Sequence, residues 1–352
     1  MRQLNIELLR ILTMYLVLVV HAAFHTFGWP TPLEIREDII GKIGIIFSES
    51  VSIVCVNVFV FISGWFGISP KLKSFSNFIF QVLFLSIIVY GFSIITGISQ
   101  LSVTGIMQCF TLTDRMWFVL VYLSLYLIAP VLNDFVKYAN RRTFKLVLIA
   151  LFLMQTIYGW GGFAEYYMEG YSTISFIALY LLARYLKVYT PSVTQKGISC
   201  YITCFIMCVI LLSVSSVIFS MIDTLDSIMQ IVMVKSFSYI NPVVIVQSCS
   251  LFFIFEKMKI SPNYSKVITF VASSCFAVFL LHTNPNLSGL YSHYIIKCSE
   301  ICPTVLLSGL LIMLFLLLVY VLSIAVDQLR IFFWKRCWIV LEVPLTKVLD
   351  FI

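Results

Sequence analysis

The 352 residues are 61% hydrophobic and only 11% charged, with a formal net charge of +7. A soluble domain carries roughly 25% charged residues, so this chain has too few to coat a water-facing surface. Its 31 Phe, 18 Tyr and 6 Trp exclude a disordered chain, and what remains is an all-α polytopic membrane protein.

A bilayer core takes about 20 apolar residues per helix. In chain order, ten segments qualify: 4–24, 43–66, 75–96, 116–136, 144–160, 171–187, 197–222, 228–255, 266–287 and 304–327. The first is no cleavable signal peptide, being too long, carrying Glu7 and Arg10 and lacking a small-residue cleavage site. Lys235 and Asn241-Pro242 interrupt the eighth, which also reads as an interfacial helix followed by a shorter span. An even count puts both termini on one side. That side receives 18 of the 23 basic residues, while Arg36, Lys42, Arg115, Lys235 and Lys297 fall opposite. The bias predicts cytoplasmic termini. It also accounts for the basic excess, which therefore does not point to nucleic acid.

Residues 1–327 read as one membrane-embedded domain, with no soluble domain in the loops. Residues 328–352 follow as a cytoplasmic tail, and Phe332, Phe333, Trp334, Lys335, Arg336 and Trp338 mark it as an interfacial helix. The ten Cys make no CxxC pair and no zinc-like Cys/His cluster, so no metal is expected. Cys200, Cys204 and Cys208 recur at one-turn intervals and read as small packing residues. Nothing demands that Cys298 and Cys302 pair, although their spacing allows it.

Ionisable groups inside a span mark function by default. The first span holds Glu7, Arg10 and His21. Eleven positions separate Arg10 from His21, which at ~100° per residue is ~20° from three full turns. They share one helix face, ~16 Å apart along the axis, with Arg10 ~9 Å and His21 ~25 Å from the inner boundary. His282 in the ninth span reaches ~24 Å, level with His21, and Glu49 in the second lies ~9 Å below the outer surface. An outer layer would then hold His21, His282, Glu49 and Trp117; an inner layer would hold Arg10, Lys71 and Lys73 near Ser63-Gly64. Each has an ordinary alternative. Arg10 can snorkel, His282 can cap a helix end, Glu49 can sit in interfacial water, and Trp117 suits the aromatic belt. Lys71 and Lys73 fit a positive-inside loop, and Ser63-Gly64 fits close helix packing.

The order of these residues resembles a known pattern. Ile6-Glu7-Leu8-Leu9-Arg10, ten residues and then His21 resemble the N-terminal signature of integral-membrane acyltransferase family three. Val56 to Trp65, closing in Ser63-Gly64, resembles the family's second-span motif. Met116-Trp117-Phe118-Val119 through Tyr122, Tyr126 and Pro130 resembles its Trp-Phe motif, and Phe279-Leu280-Leu281-His282 its late histidine motif. Three departures stand out. Lys71 and Lys73 replace an Arg-rich stretch, Asp114-Arg115 has no place in the pattern, and no hydrolase-like domain follows the tenth span.

The resemblance implies a multi-pass enzyme of the inner membrane that acylates saccharides of the cell envelope. It implies an acyl-CoA donor, most often acetyl-CoA, used as a substrate rather than a bound cofactor. Arg10, Lys71 and Lys73, with Ser63 and Gly64 nearby, would receive its phosphates. His21 would deprotonate an acceptor hydroxyl on a saccharide or lipid-linked glycan. Glu49 or His282 would orient the imidazole or hold the acceptor, and Trp117 would stack on a sugar. A covalent acyl-His or acyl-Ser intermediate stays open. A second reading is a transporter or flippase for a lipid-linked saccharide or an organic anion, because intramembrane His and Glu also suit a proton relay. The sequence offers no matched pair of interrupted helices for it. A polysaccharide polymerase would favour a large outer loop, which is absent.

Overall fold

A computed structural model describes residues 3–110, 116–162, 164–220 and 226–349, without the side chains of 219–220, 226–230 and 341–349. Arg2, Asp114 and Arg115 lie outside the described residues, as does the side chain of Lys347. Every long element among them is a helix, as lipid requires when no water can satisfy the backbone. The helices used below are α1 (Leu4–Ala22), α2 (Ile39–Ser52), α3 (Cys55–Phe66), α4 (Leu72–Ile95), α5 (Trp117–Tyr138), α6 (Arg141–Met154), α7 (Thr173–Tyr189), α8 (Ile198–Ser220), α9 (Asp226–Ser236), α10 (Pro242–Lys257), α11 (Ser265–Ser273), α12 (Cys275–His282), α13 (Pro285–Ile301) and α14 (Val305–Leu349).

Among the described residues, eight helical stretches are long and apolar enough to cross a membrane: Leu4–Phe27, Ile39–Phe66, Leu72–Ile95, Trp117–Tyr138, Arg141–Trp160, Ile198–Ile218, Pro262–His282 and Val305–Val340. The chain is therefore a multi-pass membrane protein. Two of the ten expected segments are helices of shorter reach. α7 has 17 residues and α10 has 16, or ~25 Å of rise against a hydrocarbon core of ~30 Å. The segment 228–255 divides at Asn241, whose side chain accepts from the Val243 N–H, with Pro242 opening α10. That is an N-cap followed by proline at the first helical position, a start signal rather than a continuation.

α1 is the central helix, packed against α2, α3, α10, α11, α12 and α14. At the other extreme, α14 is almost wholly unburied along its membrane-spanning part, so its leucine-rich surface meets lipid. α7 packs closely on α3 because Gly64 has no side chain: a Cβ there would lie 2.6 Å from the Tyr180 carbonyl oxygen and 2.8 Å from the Ala183 Cβ. Two spans are broken midway, between α2 and α3 at Ile53–Val54 and between α11 and α12 at Ser274. All ten cysteines are free thiols, Cys298 and Cys302 included. α14 continues without a break from Val305 to Leu349, through the position where the tail was expected to begin.

Candidate active site

A cavity of about 1110 Å³ runs between α1, α3, α4, α5 and α12. Arg10, Met14, Val17 and His21 all line it, the i, i+4, i+7, i+11 stripe that one face of α1 presents. Ser63, Asn77, Gln81, Tyr122 and Tyr126 line it with Arg10; Glu49, Trp117 and His282 line it with His21. Six of the nine residues expected at the site therefore face one space.

At the far end, His21 Nδ1 lies 2.7 Å from His282 Nε2, and His282 Nδ1 lies 2.6 Å from the Val278 carbonyl oxygen. A carbonyl only accepts, so His282 Nδ1 carries the hydrogen. The Nε2 of a neutral His282 is then an acceptor, and His21 Nδ1 must donate to it. This assigns the His21 tautomer through the network and leaves its Nε2 as a bare lone pair. His282 is buried as the last residue of α12. There the chain turns at once, because Asn284 caps the next helix and Pro285 opens it. Tyr291 packs its ring 5.3 Å from that of His282 and donates to the Leu18 carbonyl at 2.6 Å, tying the imidazole pair to α1. His25 stands edge-on to His21 with ring centres 5.3 Å apart.

Glu49 is buried, and its Oε2 accepts a long bond of 3.4 Å from the Phe24 N–H, just past the non-helical Ala23 that ends α1. Glu49 thus shares the cavity, while the His21 Nδ1 partner is His282. Trp117 stands 4.3 Å from the Tyr171 ring and 6.2 Å from the Tyr239 ring, and both tyrosines also line the cavity. The sequence reading missed these two tyrosines, since sequence alone does not separate them from belt aromatics.

At the near end, Arg10 Nη1 donates to Glu7 Oε1 at 2.9 Å, using one of the guanidinium's five donors. Ser63 Oγ contacts the Tyr122 hydroxyl at 3.2 Å. Gly64 is spent on packing against α7 and does not face the cavity. Lys71 sits at the rim, its backbone N–H donating to the Tyr126 hydroxyl at 2.9 Å. Lys73 points elsewhere, its Nζ 5.4 Å from the Trp338 ring centre. A second group that the sequence reading missed stands behind Asn77 and Gln81: Asp327 and Arg330, both buried, joined by two bonds of 2.7 and 2.8 Å.

Among known proteins, a family model described as an acyltransferase domain matches residues 3–328. No curated relative and no solved structure matches the chain.

Proposed function

Because the chain belongs to acyltransferase family three, a family of membrane enzymes, we propose that it moves an acyl group, most often acetyl, from acyl-CoA to a saccharide hydroxyl of the cell envelope. The observation that carries this reading is the His21–His282 hydrogen bond. A sugar hydroxyl attacks a thioester only as its proton leaves, and a neutral imidazole with a free Nε2 is suited to take that proton.

His21 Nε2 accepts the hydroxyl proton while the oxygen forms its bond to the thioester carbonyl carbon. The imidazolium that results keeps its Nδ1–H on His282 Nε2, which spreads the new charge. The carbon–sulfur bond then breaks, and the proton on His21 Nε2 passes to the departing CoA thiolate. His282 holds the tautomer, as the third group of a catalytic triad does. Glu49 receives the acceptor's neighbouring hydroxyl, and Trp117 with Tyr171 and Tyr239 packs the apolar face of the sugar ring.

The dimensions of the donor support the same placement. The pantetheine arm of CoA has about twelve chain atoms between phosphate and sulfur, the length of about four extended residues or ~14 Å. Arg10 and His21 stand ~16 Å apart along α1. Phosphates at Arg10, with Lys71 at the rim, leave the thioester beside His21. In this reading the donor enters from the cytoplasmic side, the side expected for both termini from the bias of basic residues, and the acceptor waits at the opposite side of the inner membrane.

The broken spans also suit a transporter; family membership favours transfer. Membranes holding the protein, given labelled acetyl-CoA and envelope glycan, should yield labelled glycan. Saccharide uptake without any label transfer would overturn the acyltransferase reading in favour of a transporter.

A further inference from the structure

Four polar side chains on two helices form a closed arrangement beside the cavity. Arg330 donates through Nε and Nη2 to the Asp327 carboxylate at 2.8 and 2.7 Å, and through Nη1 to Asn77 Oδ1 at 3.0 Å. Gln81 Nε2 donates to Asp327 Oδ1 at 3.1 Å. These bonds fix both carboxamides, because a guanidinium can only donate and an ionised carboxylate can only accept. Asn77 must turn its oxygen to Arg330, and Gln81 must turn its nitrogen to Asp327. Among the described residues nothing accepts from Asn77 Nδ2, and nothing donates to Gln81 Oε1. Both residues line the cavity. One helix face thus offers a donor and, one turn further on, an acceptor, each held in orientation by a buried ion pair.

Along the cavity Asn77 stands level with Arg10, and Gln81 stands between Arg10 and His21. α4 ends on the His282 side, where Ser99 Oγ binds Asn286 Oδ1 at 2.8 Å, so it runs in the same sense as α1. Asn77 lies ~8 Å and Gln81 ~14 Å from the start of α4, against ~9 Å and ~25 Å for Arg10 and His21 on α1. Their offset of ~6 Å along the helix is close to the ~5 Å that four chain atoms place between the two secondary amides of a pantetheine arm.

We propose that Asn77 and Gln81, oriented by Arg330 and Asp327, bind the two amides of the donor's pantetheine arm and so select a CoA thioester over thioesters that lack it. Asn77 donates to the carbonyl nearer the phosphate. Gln81 accepts from the N–H nearer the sulfur. The inference rests on the acyl-CoA reading above.

The test uses the full-length protein in membranes, with acetyl-CoA and an analogue whose sulfur-proximal amide is an ester. The ester keeps the shape and removes the N–H. For the natural chain, the donor KM should rise about five- to tenfold with the analogue, with kcat nearly unchanged. Gln81→Leu should raise the KM for acetyl-CoA by a similar factor and no longer distinguish the two donors. Equal KM values for the two donors in the natural chain would overturn the proposal and leave the acyl-CoA reading standing. The same comparison decides the matter if Gln81→Leu fails to fold. A natural chain that transfers acetyl from neither donor would overturn both.

Discussion

His282 accepts at Nε2 from His21 Nδ1 while donating its own Nδ1–H to the Val278 carbonyl. The consequence is one-directional: a backbone carbonyl on α12 decides which nitrogen of His21 is free to act as a base. His282→Leu should therefore lower the transfer rate about 100-fold, within the range attributed to a positioned acid or base. His282→Gln, whose amide oxygen can still accept from Nδ1, should recover a part of it. Rates of label transfer by the two variants check this, and equal losses would contradict the orienting role.

Arg10 faces the cavity and Lys73 does not. Arg10→Lys should raise the KM for acetyl-CoA about tenfold or more, since lysine lacks the guanidinium fork. Lys73→Ala should leave it within about twofold. Donor titrations at saturating acceptor give both numbers.

The membrane class was legible from charge scarcity alone, and the shared face of Arg10 and His21 from helical arithmetic. Both residues do line one cavity. The layer of His21, Glu49, Trp117 and His282 was also legible, because rise per residue and span order fix depth. What could not be read was lateral contact. Nothing in the chain says that His282, rather than Glu49, meets His21 Nδ1, or that Arg330 turns inward to α4 instead of toward headgroups. The breaks at Ile53–Val54 and Ser274 carry no Gly or Pro, so no local signal marked them. Of the ten expected segments, the two at α7 and α10 are apolar but short, because apolar runs do not reveal helix ends to within a turn.

Gly64 tests the packing of α3 on α7. A methyl at this position meets a backbone oxygen at 2.6 Å, which cannot move without its helix. Gly64→Ala should lose about 1–3 kcal/mol of stability, read as a lower melting temperature of the purified protein in detergent.

Asp327 and Arg330 test the buried pair. Arg330→Met leaves the buried Asp327 carboxylate without its cation, held only by the Gln81 amide, and should cost about 3–5 kcal/mol. Asp327→Leu with Arg330→Met removes both charges and should recover most of that stability. The double variant frees the carboxamides of Asn77 and Gln81, so its donor KM should stay raised even as its melting temperature returns.

The central claim is that His21 is the base for acyl transfer, and His21→Ala tests it most directly. Membranes carrying equal amounts of folded natural chain and variant, matched by melting temperature, are given labelled acetyl-CoA and envelope glycan. The account predicts that label incorporation falls about 10²- to 10⁴-fold in the variant. Incorporation at the natural rate by His21→Ala would contradict it.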